Sequence, residues 1–185
     1  MRLTNAIAIS FAASLLTILG IPAFAAAAPQ PAQQVERFDD WQMRCFAVKS
    51  AAPCDAFFGT YQKATGMRIA SVSIAYAPAR RGYLIQIAVP LGIAVVQGVV
   101  VKAAEFKSAT LEVRRCDRNG CYVEGNVDAS LVSALVANDG QKGSLDVVAD
   151  GGKPVSLLLS LKGFAKAHDA MVKAAHDKLG AAAAN

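Results

Sequence analysis

Apolar residues that recur at every second position constrain the fold of this chain more than any other feature of its sequence. The clearest case is residues 41–45, where Trp41, Met43 and Cys45 alternate with two polar residues. A strand turns successive side chains to opposite faces, so this spacing predicts strands with one face on a core. The same alternation returns at residues 70–76, 83–89, 111–114 and 155–161.

Turn-forming residues separate the alternating segments. Clusters rich in Gly, Pro, Asn and Asp occur at residues 64–66, 78–82, 90–92, 119–120, 138–140 and 150–152. The chain therefore accommodates about nine short strands, which favours a mainly β domain built as an antiparallel β-sandwich or a small barrel. An outer-membrane barrel needs about ten residues per strand and girdles of aromatic residues, and this chain has short strands and few aromatics.

Two segments break the period-two pattern and predict helices. Asp128 is placed to cap a short internal helix, in which Leu131 and Leu135 are separated by four positions. Residues 163–179 predict a C-terminal helix, and Gly180 is placed to end it. One face of that helix would carry Phe164, His168, Met171, Ala175 and Leu179.

The first 25 residues have the pattern of a cleavable signal peptide. Arg2 precedes an apolar stretch at residues 6–21, which is followed by Pro22 and a small-x-small sequence that ends at Ala25. We expect cleavage after Ala25 or one to three residues later, within the alanine run at residues 26–28, because the peptidase pockets admit little more than a methyl group at that site. The alternative is a permanent membrane anchor, but the stretch is short for about 30 Å of hydrocarbon. No transmembrane span would remain after cleavage.

Cleavage would leave one domain of ordinary size. Residues 26–37 predict a flexible lead-in, residues 38–180 a single β domain, and residues 181–185 a frayed tail. The whole chain carries a net charge of +5, and its Lys and Arg residues are scattered rather than gathered into a stripe with aromatics. A nucleic-acid partner is therefore not expected. The sequence predicts a periplasmic, envelope-associated or secreted protein and leaves its oligomeric state open.

Four cysteines in the exported part predict two disulfides, because an even count in an oxidising compartment indicates pairing. They are Cys45, Cys54, Cys116 and Cys121. Four cysteines allow three pairings, and proximity along the chain favours Cys45–Cys54 and Cys116–Cys121. The second pair encloses an Asn-Gly turn, so its bridge would clip a tight hairpin. A four-cysteine zinc site is the alternative, but the first pair is spaced too widely for one.

No cluster of catalytic or metal-binding residues stands out. His168 and His176 are the only histidines, and eight positions on a helix turn them about 80° apart. His168 is therefore expected to pack with a local hydrogen bond rather than to bind a metal or act as a base. Ser160 and Lys162 suggest a serine–lysine hydrolase, yet that chemistry uses S-x-x-K spacing and a lysine of depressed pKa.

Other conspicuous residues have structural interpretations. The sequence shows no further carboxylate that would work with Asp39 or Asp40 as a catalytic acid–base pair, so both are expected as solvated acids at the surface. Trp41 is the only tryptophan and is expected in the core rather than at a recognition surface. Four glycines form no phosphate-binding pattern and are expected in turns or a strand bulge: Gly92, Gly98, Gly151 and Gly152. The sequence predicts no catalytic residue, no cofactor and no metal.

Four short motifs in consistent order resemble the invasion-associated locus B family. They are Phe-Asp-Asp-Trp-Gln-Met-Arg-Cys at 38–45, Val-Pro-Leu-Gly at 89–92, Arg-Cys-Asp-Arg-Asn-Gly-Cys at 115–121 and Leu-Ser-Leu-Lys-Gly-Phe at 159–164. The resemblance extends over residues 38–172. It implies an exported alphaproteobacterial envelope protein without known cofactor or enzyme activity, and the founding members of the family are associated with host-cell invasion.

Three functions follow as hypotheses. The leading one is a non-enzymatic periplasmic or envelope-associated protein that binds another envelope or host macromolecule, for which an exposed strand edge would serve. The second is a surface-acting host-cell invasion or adhesion factor, which rests on the resemblance alone. The third is an unrecognised hydrolase that uses Ser160 or His168.

Overall fold

The structure is a computed structural model that describes residues 34–183, with side chains as far as Lys178. The expected signal peptide lies outside the described residues. The strands are β1 (Gln34–Phe38), β2 (Trp41–Cys45), β3 (Cys54–Tyr61), β4 (Arg68–Ala77), β5 (Gly82–Val89), β6 (Val100–Ala103), β7 (Phe106–Lys107), β8 (Val113–Asp117), β9 (Gly120–Val127), β10 (Lys142–Val148) and β11 (Pro154–Ser160). The helices are α1 (Ala129–Ala137) and α2 (Phe164–Ala183).

The strands form two antiparallel sheets, which confirms the predicted sandwich. The seven-stranded sheet has the order β1-β2-β3-β4-β5-β9-β8, and the four-stranded sheet has the order β11-β10-β6-β7. One hydrophobic core contains residues of both sheets and both helices. Helix α2 contacts β2, β3 and β4, so it covers one end of the seven-stranded sheet.

The strand register explains why the alternation of β2 is so clear. Met43 lies opposite Ala56 on β3, which lies opposite Ile74 on β4, which lies opposite Ile85 on β5. All four are buried, because this row faces the core. Each fully buried side chain of the size of Ile74 stabilises the fold by roughly 1.5–3 kcal/mol.

The start of the ordered domain differs from the prediction. Residues 34–37, expected in a flexible lead-in, belong to β1 and pair residue by residue with β2. A turn at Asp39 and Asp40 reverses the chain, and Asp39 takes a left-handed φ of 52° that a short polar side chain tolerates. Most of β1 is exposed, so it carries no alternation that would distinguish it from a linker.

The end of helix α2 also differs from the prediction. The helix begins at Phe164, one residue after the predicted start, and it continues through Gly180 to Ala183, so the predicted stop at Gly180 is wrong. A single interior glycine costs only about 1 kcal/mol relative to alanine, and the alanines that follow are the best helix formers. Helix α1 begins as predicted, because the Asp128 side chain accepts a hydrogen bond from Ser130 N–H at 2.7 Å.

Both disulfides join adjacent strands. Cys45 pairs with Cys54 across β2 and β3, and Cys116 pairs with Cys121 across β8 and β9, at sequence separations of 9 and 5. This is the near-neighbour pairing that the sequence favours. In the chain-entropy model, loops of this length stabilise a fold by roughly 2–3 kcal/mol each. Between residues 34 and 183, no helix combines the length and apolar character needed to cross a membrane.

Candidate functional site

Two of the sequence motifs, 119 positions apart, meet in the fold. Trp41 Nε1 donates a hydrogen bond to the backbone oxygen of Ser160 at 2.8 Å. Next to it, Asp40 N–H donates to the backbone oxygen of Lys162 at 3.2 Å. We call this contact of residues 38–41 with residues 160–164 the motif junction. It ties the β1–β2 turn to the link between β11 and α2.

Trp41 forms the buried side of the motif junction. Its side chain is fully buried, and its ring lies 5.5 Å from that of Phe58 and 4.6 Å from that of Phe164. The expectation that Trp41 packs in the core is confirmed. The buried indole N–H is satisfied as well, because the backbone oxygen of Ser160 accepts its hydrogen bond. Trp41 is therefore a packing residue and is not available to an outside ligand.

Ser160 and Lys162 are engaged by the same junction. The Ser160 hydroxyl donates to the carboxylate of Asp40, and Lys162 Nζ lies 3.1 Å from Asp39 Oδ1. The hydrogen bond to Asp39 raises the pKa of Lys162, and most of the lysine side chain is exposed. A lysine that activates serine needs a lowered pKa. The pair therefore lacks the arrangement that the hydrolase hypothesis requires.

The two histidines lie apart and have different partners. His168 Nε2 is 2.8 Å from Tyr83 Oη, and its Nδ1 is 3.0 Å from Asp169 Oδ1. His176 is exposed and lies beside the ring of Tyr76 at 5.6 Å. His168 is thus a packed histidine with local hydrogen bonds, as predicted. Across residues 34–183, no group of three or more His, Cys, Asp or Glu residues is arranged to hold a metal ion.

Tyr83 is the partner of His168 that the sequence did not reveal. Burial, followed by the influence of Tyr76 and Asp169, raises the pKa of the Tyr83 phenol. The protonated phenol shares one hydrogen bond with His168 Nε2, and His168 Nδ1 shares another with Asp169. This chain of hydrogen bonds ties β5 to α2. It provides no activated nucleophile, because nothing favours the ionised form of Tyr83.

The outer face of the seven-stranded sheet carries arginines that are already paired. Arg44 forms an ion pair with Asp55 and lies 3.6 Å above the Phe57 ring. Arg115 lies 4.0 Å above the Tyr122 ring and bonds to Glu124 at 2.8 Å. These contacts hold each guanidinium between an aromatic ring and a carboxylate. Neither Arg44 nor Arg115 is therefore an open cation on this face.

An ordered apolar loop is the most conspicuous exposed feature. We call residues 91–98, which follow β5, the apolar loop. Val96 is 93% exposed, Leu91 54% and Val95 42%. A single exposed apolar residue is ordinary, but neighbouring ones on one loop indicate a contact surface.

Backbone hydrogen bonds fix the apolar loop in place. Ala94 N–H donates to Val148 O at 2.8 Å, and Asp150 N–H donates to Gly92 O at 2.9 Å. Buried Ile93 anchors the loop to the core. At Gly98 the backbone has a φ of 63°, and a Cβ there would lie 2.5 Å from Leu111 O, so only glycine fits. Binding through this loop would therefore cost little ordering entropy.

A shallow hollow of about 330 Å³ lies beside the loop. It is lined by Val95, Val96, Gly98, Thr110, Glu112 and Val113. The sequence signal for this surface is weak but present: four uncharged apolar residues, Ile93 to Val96, follow a Pro-Leu-Gly turn. Periodicity cannot distinguish such a run from a buried strand.

Comparison with known proteins identifies related sequences and folds. The family model described as Invasion associated locus B (IalB) protein matches residues 41–172. The crystal structure of invasion associated protein b from Bartonella henselae matches with a TM-score of 0.62 and 24% sequence identity, and the match covers 76% of this chain and 96% of that one. At that identity the likeness shows a shared fold. A search of curated proteins gives no match.

Proposed function

This chain belongs to the Invasion associated locus B (IalB) protein family, and from that premise we propose that it is an exported, non-enzymatic, envelope-associated protein that binds another macromolecule through the apolar loop. The observation that carries the proposal is the exposure of Leu91, Val95 and Val96 on a loop whose backbone is already fixed. Full burial of a Val or Leu side chain contributes roughly 1.5–3 kcal/mol, and a rigid loop keeps most of that gain.

Export and the absence of catalysis have separate support. Two disulfides are typical of an oxidising compartment, and the leader has the features of a signal peptide. Lys162 is held protonated by Asp39, and His168 is hydrogen-bonded to Tyr83. These contacts use the groups that a hydrolase would need free.

Site-specific photo-crosslinking in intact cells tests the proposal. A photoreactive phenylalanine analogue is placed at Val96, and in a matched control at Met67, which is 62% exposed on the β3–β4 turn. We expect one saturable adduct from position 96 and none from position 67. Co-expressed wild-type protein should compete for that adduct, whereas a co-expressed Leu91→Ser, Val96→Ser double variant should compete at least about tenfold less well, as loss of a hot spot predicts.

Two results would contradict the loop assignment. Equal crosslinking from both positions would mean non-specific contact, and equal competition by the double variant would place the binding surface elsewhere. Thermal unfolding of the double variant serves as a folding control, because surface substitutions usually change stability by less than about 0.5 kcal/mol.

A host-cell invasion or adhesion factor is the second candidate. The observation that favours it is the description of the matched family as invasion associated. We expect an isogenic deletion strain to enter host cells less often, and complementation with the wild-type gene to restore entry. Complementation by the Leu91→Ser, Val96→Ser variant separates the two candidates, since restored entry would exclude a role of the apolar loop in invasion.

A further inference from the structure

The edge strands of the two sheets differ in charge. Among residues 34–183 the edges are β1, β7, β8 and β11. Glu36 and Arg37 lie on β1, β8 has three charged residues, and β7 has only two residues, one of them Lys107. The seven residues of β11 include no charged side chain. Charges and short length normally protect an edge from pairing with another strand, so β11 is the least protected edge.

The hydrogen-bond register shows which groups of β11 face the open side. Leu161 N–H donates to Gln141 O at 3.0 Å, and Ala149 N–H donates to Lys153 O at 2.8 Å. In an antiparallel ladder, residues bonded to one neighbour alternate with residues whose backbone groups point away from it. The odd-numbered residues of β11 therefore bond β10, and the even-numbered residues point outward.

The open side loses one backbone group at each end, which leaves Pro154 C=O and Ser160 N–H facing outward. Pro154 has no N–H, and the backbone oxygen of Ser160 accepts from Trp41 Nε1 at 2.8 Å. Ser156 and Leu158 lie between these ends; both are exposed, Leu158 by 54%. Each presents one N–H and one C=O, so these two residues together offer two donors and two acceptors.

We propose that β11 pairs with β11 of a second copy of this chain, antiparallel about a twofold axis at Leu157. In that register Ser156 lies opposite Leu158 of the partner copy, and the two residue pairs exchange four hydrogen bonds. All four open groups are then satisfied. Large Leu158 lies beside small Ser156 of the partner copy on the outer face, and no like charges meet, because β11 has no charged side chain.

This pairing joins two four-stranded sheets into one of eight strands. It uses a different surface from the apolar loop, so it stands independently of the proposed function. A register shifted by two residues in one direction would rely on the Ser160 carbonyl that Trp41 already occupies, and a shift in the other direction would place the Leu158 carbonyl opposite Pro154, which has no N–H. The twofold at Leu157 is therefore the register that uses the free groups most completely.

Light scattering across a concentration series tests the proposal on protein purified after expression of the full chain. We expect the wild type to have twice the monomer mass at high concentration. Leu158→Lys should raise the dissociation constant by roughly tenfold or more, because a lysine on an edge opposes pairing. Val35→Lys on edge strand β1 is the matched control, since Val35 is 49% exposed, and it should leave the dimer unchanged.

Two further measurements keep the proposal open to refutation. Ser156→Pro removes one outward N–H without removing a bond to β10, and it should also abolish the dimer. Amide exchange at Ser156 and Leu158 should slow as the concentration of the wild type rises. Any one of three results would overturn the pairing. They are a monomer at all concentrations, a dimer that persists in Leu158→Lys, and amide exchange rates at Ser156 and Leu158 that do not change with protein concentration.

Discussion

Gly163 is the residue where the motif junction leaves the least room. Its φ is +88°, and a Cβ built there would overlap the carbonyl oxygen of Phe38 and lie 2.7 Å from the carbonyl carbon. Gly163→Ala would thus impose both a strained backbone and a collision with β1. We expect this substitution to be among the most damaging single-methyl changes in the protein.

The magnitude follows from two contributions. A left-handed backbone costs alanine about 1–2 kcal/mol. The collision adds about 1–3 kcal/mol, the usual cost of overpacking, because Phe38 O belongs to a backbone that the neighbouring Trp41 and Asp40 hydrogen bonds hold in place. The total is about 2–5 kcal/mol, and each 1 kcal/mol lowers the Tm of a domain of this size by about 2–4 °C.

Gly140→Ala provides the control. Gly140 has a φ of +83°, nearly that of Gly163, but nothing lies within 4 Å of a Cβ built there. The control therefore carries the backbone cost without the collision. Thermal unfolding followed by far-UV circular dichroism should place the Tm of Gly163→Ala about 6 °C below that of Gly140→Ala, from about 2 kcal/mol of collision.

The comparison of the two variants can refute the reasoning. Equal Tm values would mean that the β1–β2 turn yields freely to the added methyl group, and the motif junction would then contribute little stiffness. Urea unfolding gives a second estimate, and unchanged m-values would show that both variants still unfold from the same compact state.

Three other predictions concern the leader, a disulfide and a helix cap. Mass spectrometry of protein recovered from the periplasm should find that the chain begins directly after Ala25 or within the next three residues, and a retained leader would contradict the signal-peptide assignment. Replacing Cys116 and Cys121 together by serine should lower the urea-derived free energy of unfolding by roughly 2–3 kcal/mol, and an unchanged value would show that the clip is dispensable. Asp128→Ala should destabilise the protein at neutral pH; hydrogen bonds from Ser130 lower the pKa of Asp128, so this contribution is complete above its ordinary pKa and fades as the pH falls through the lowered value. A wild type–variant difference in Tm that stays constant in acid would contradict the capping role.

The strands that could be predicted from the sequence are those with one face buried and the other exposed to solvent. β2 and β11 alternate because one side of each lies on the core. β3 has no such pattern, since Phe57 on its outer face is apolar and is covered by Arg44 at 3.6 Å. Phe57 and Phe58 are adjacent and lie on opposite faces, and both faces of β3 are covered. The sequence of β3 therefore shows no alternation of apolar and polar residues.

The candidate surfaces required knowledge of the strand order. The alternation of β11 predicts a strand, but only the sheet places it at an edge with Ser156 and Leu158 facing outward. The motif junction likewise depends on residues 119 positions apart. The sequence did predict the disulfide partners, because each pair spans a single hairpin.

The short spans of the two disulfides bear on how the chain acquires them. A chain that enters an oxidising compartment with its N-terminus leading exposes Cys45 and Cys54 well before Cys116. The Cys45–Cys54 bridge can form while Cys54 is the only cysteine available to Cys45. The Cys116–Cys121 bridge then forms across the Asn-Gly turn that lies between its two cysteines. Order of arrival alone then selects one of three pairings. For an exported chain a thiol oxidase would then be enough to form both bridges, with little need for repair by disulfide exchange.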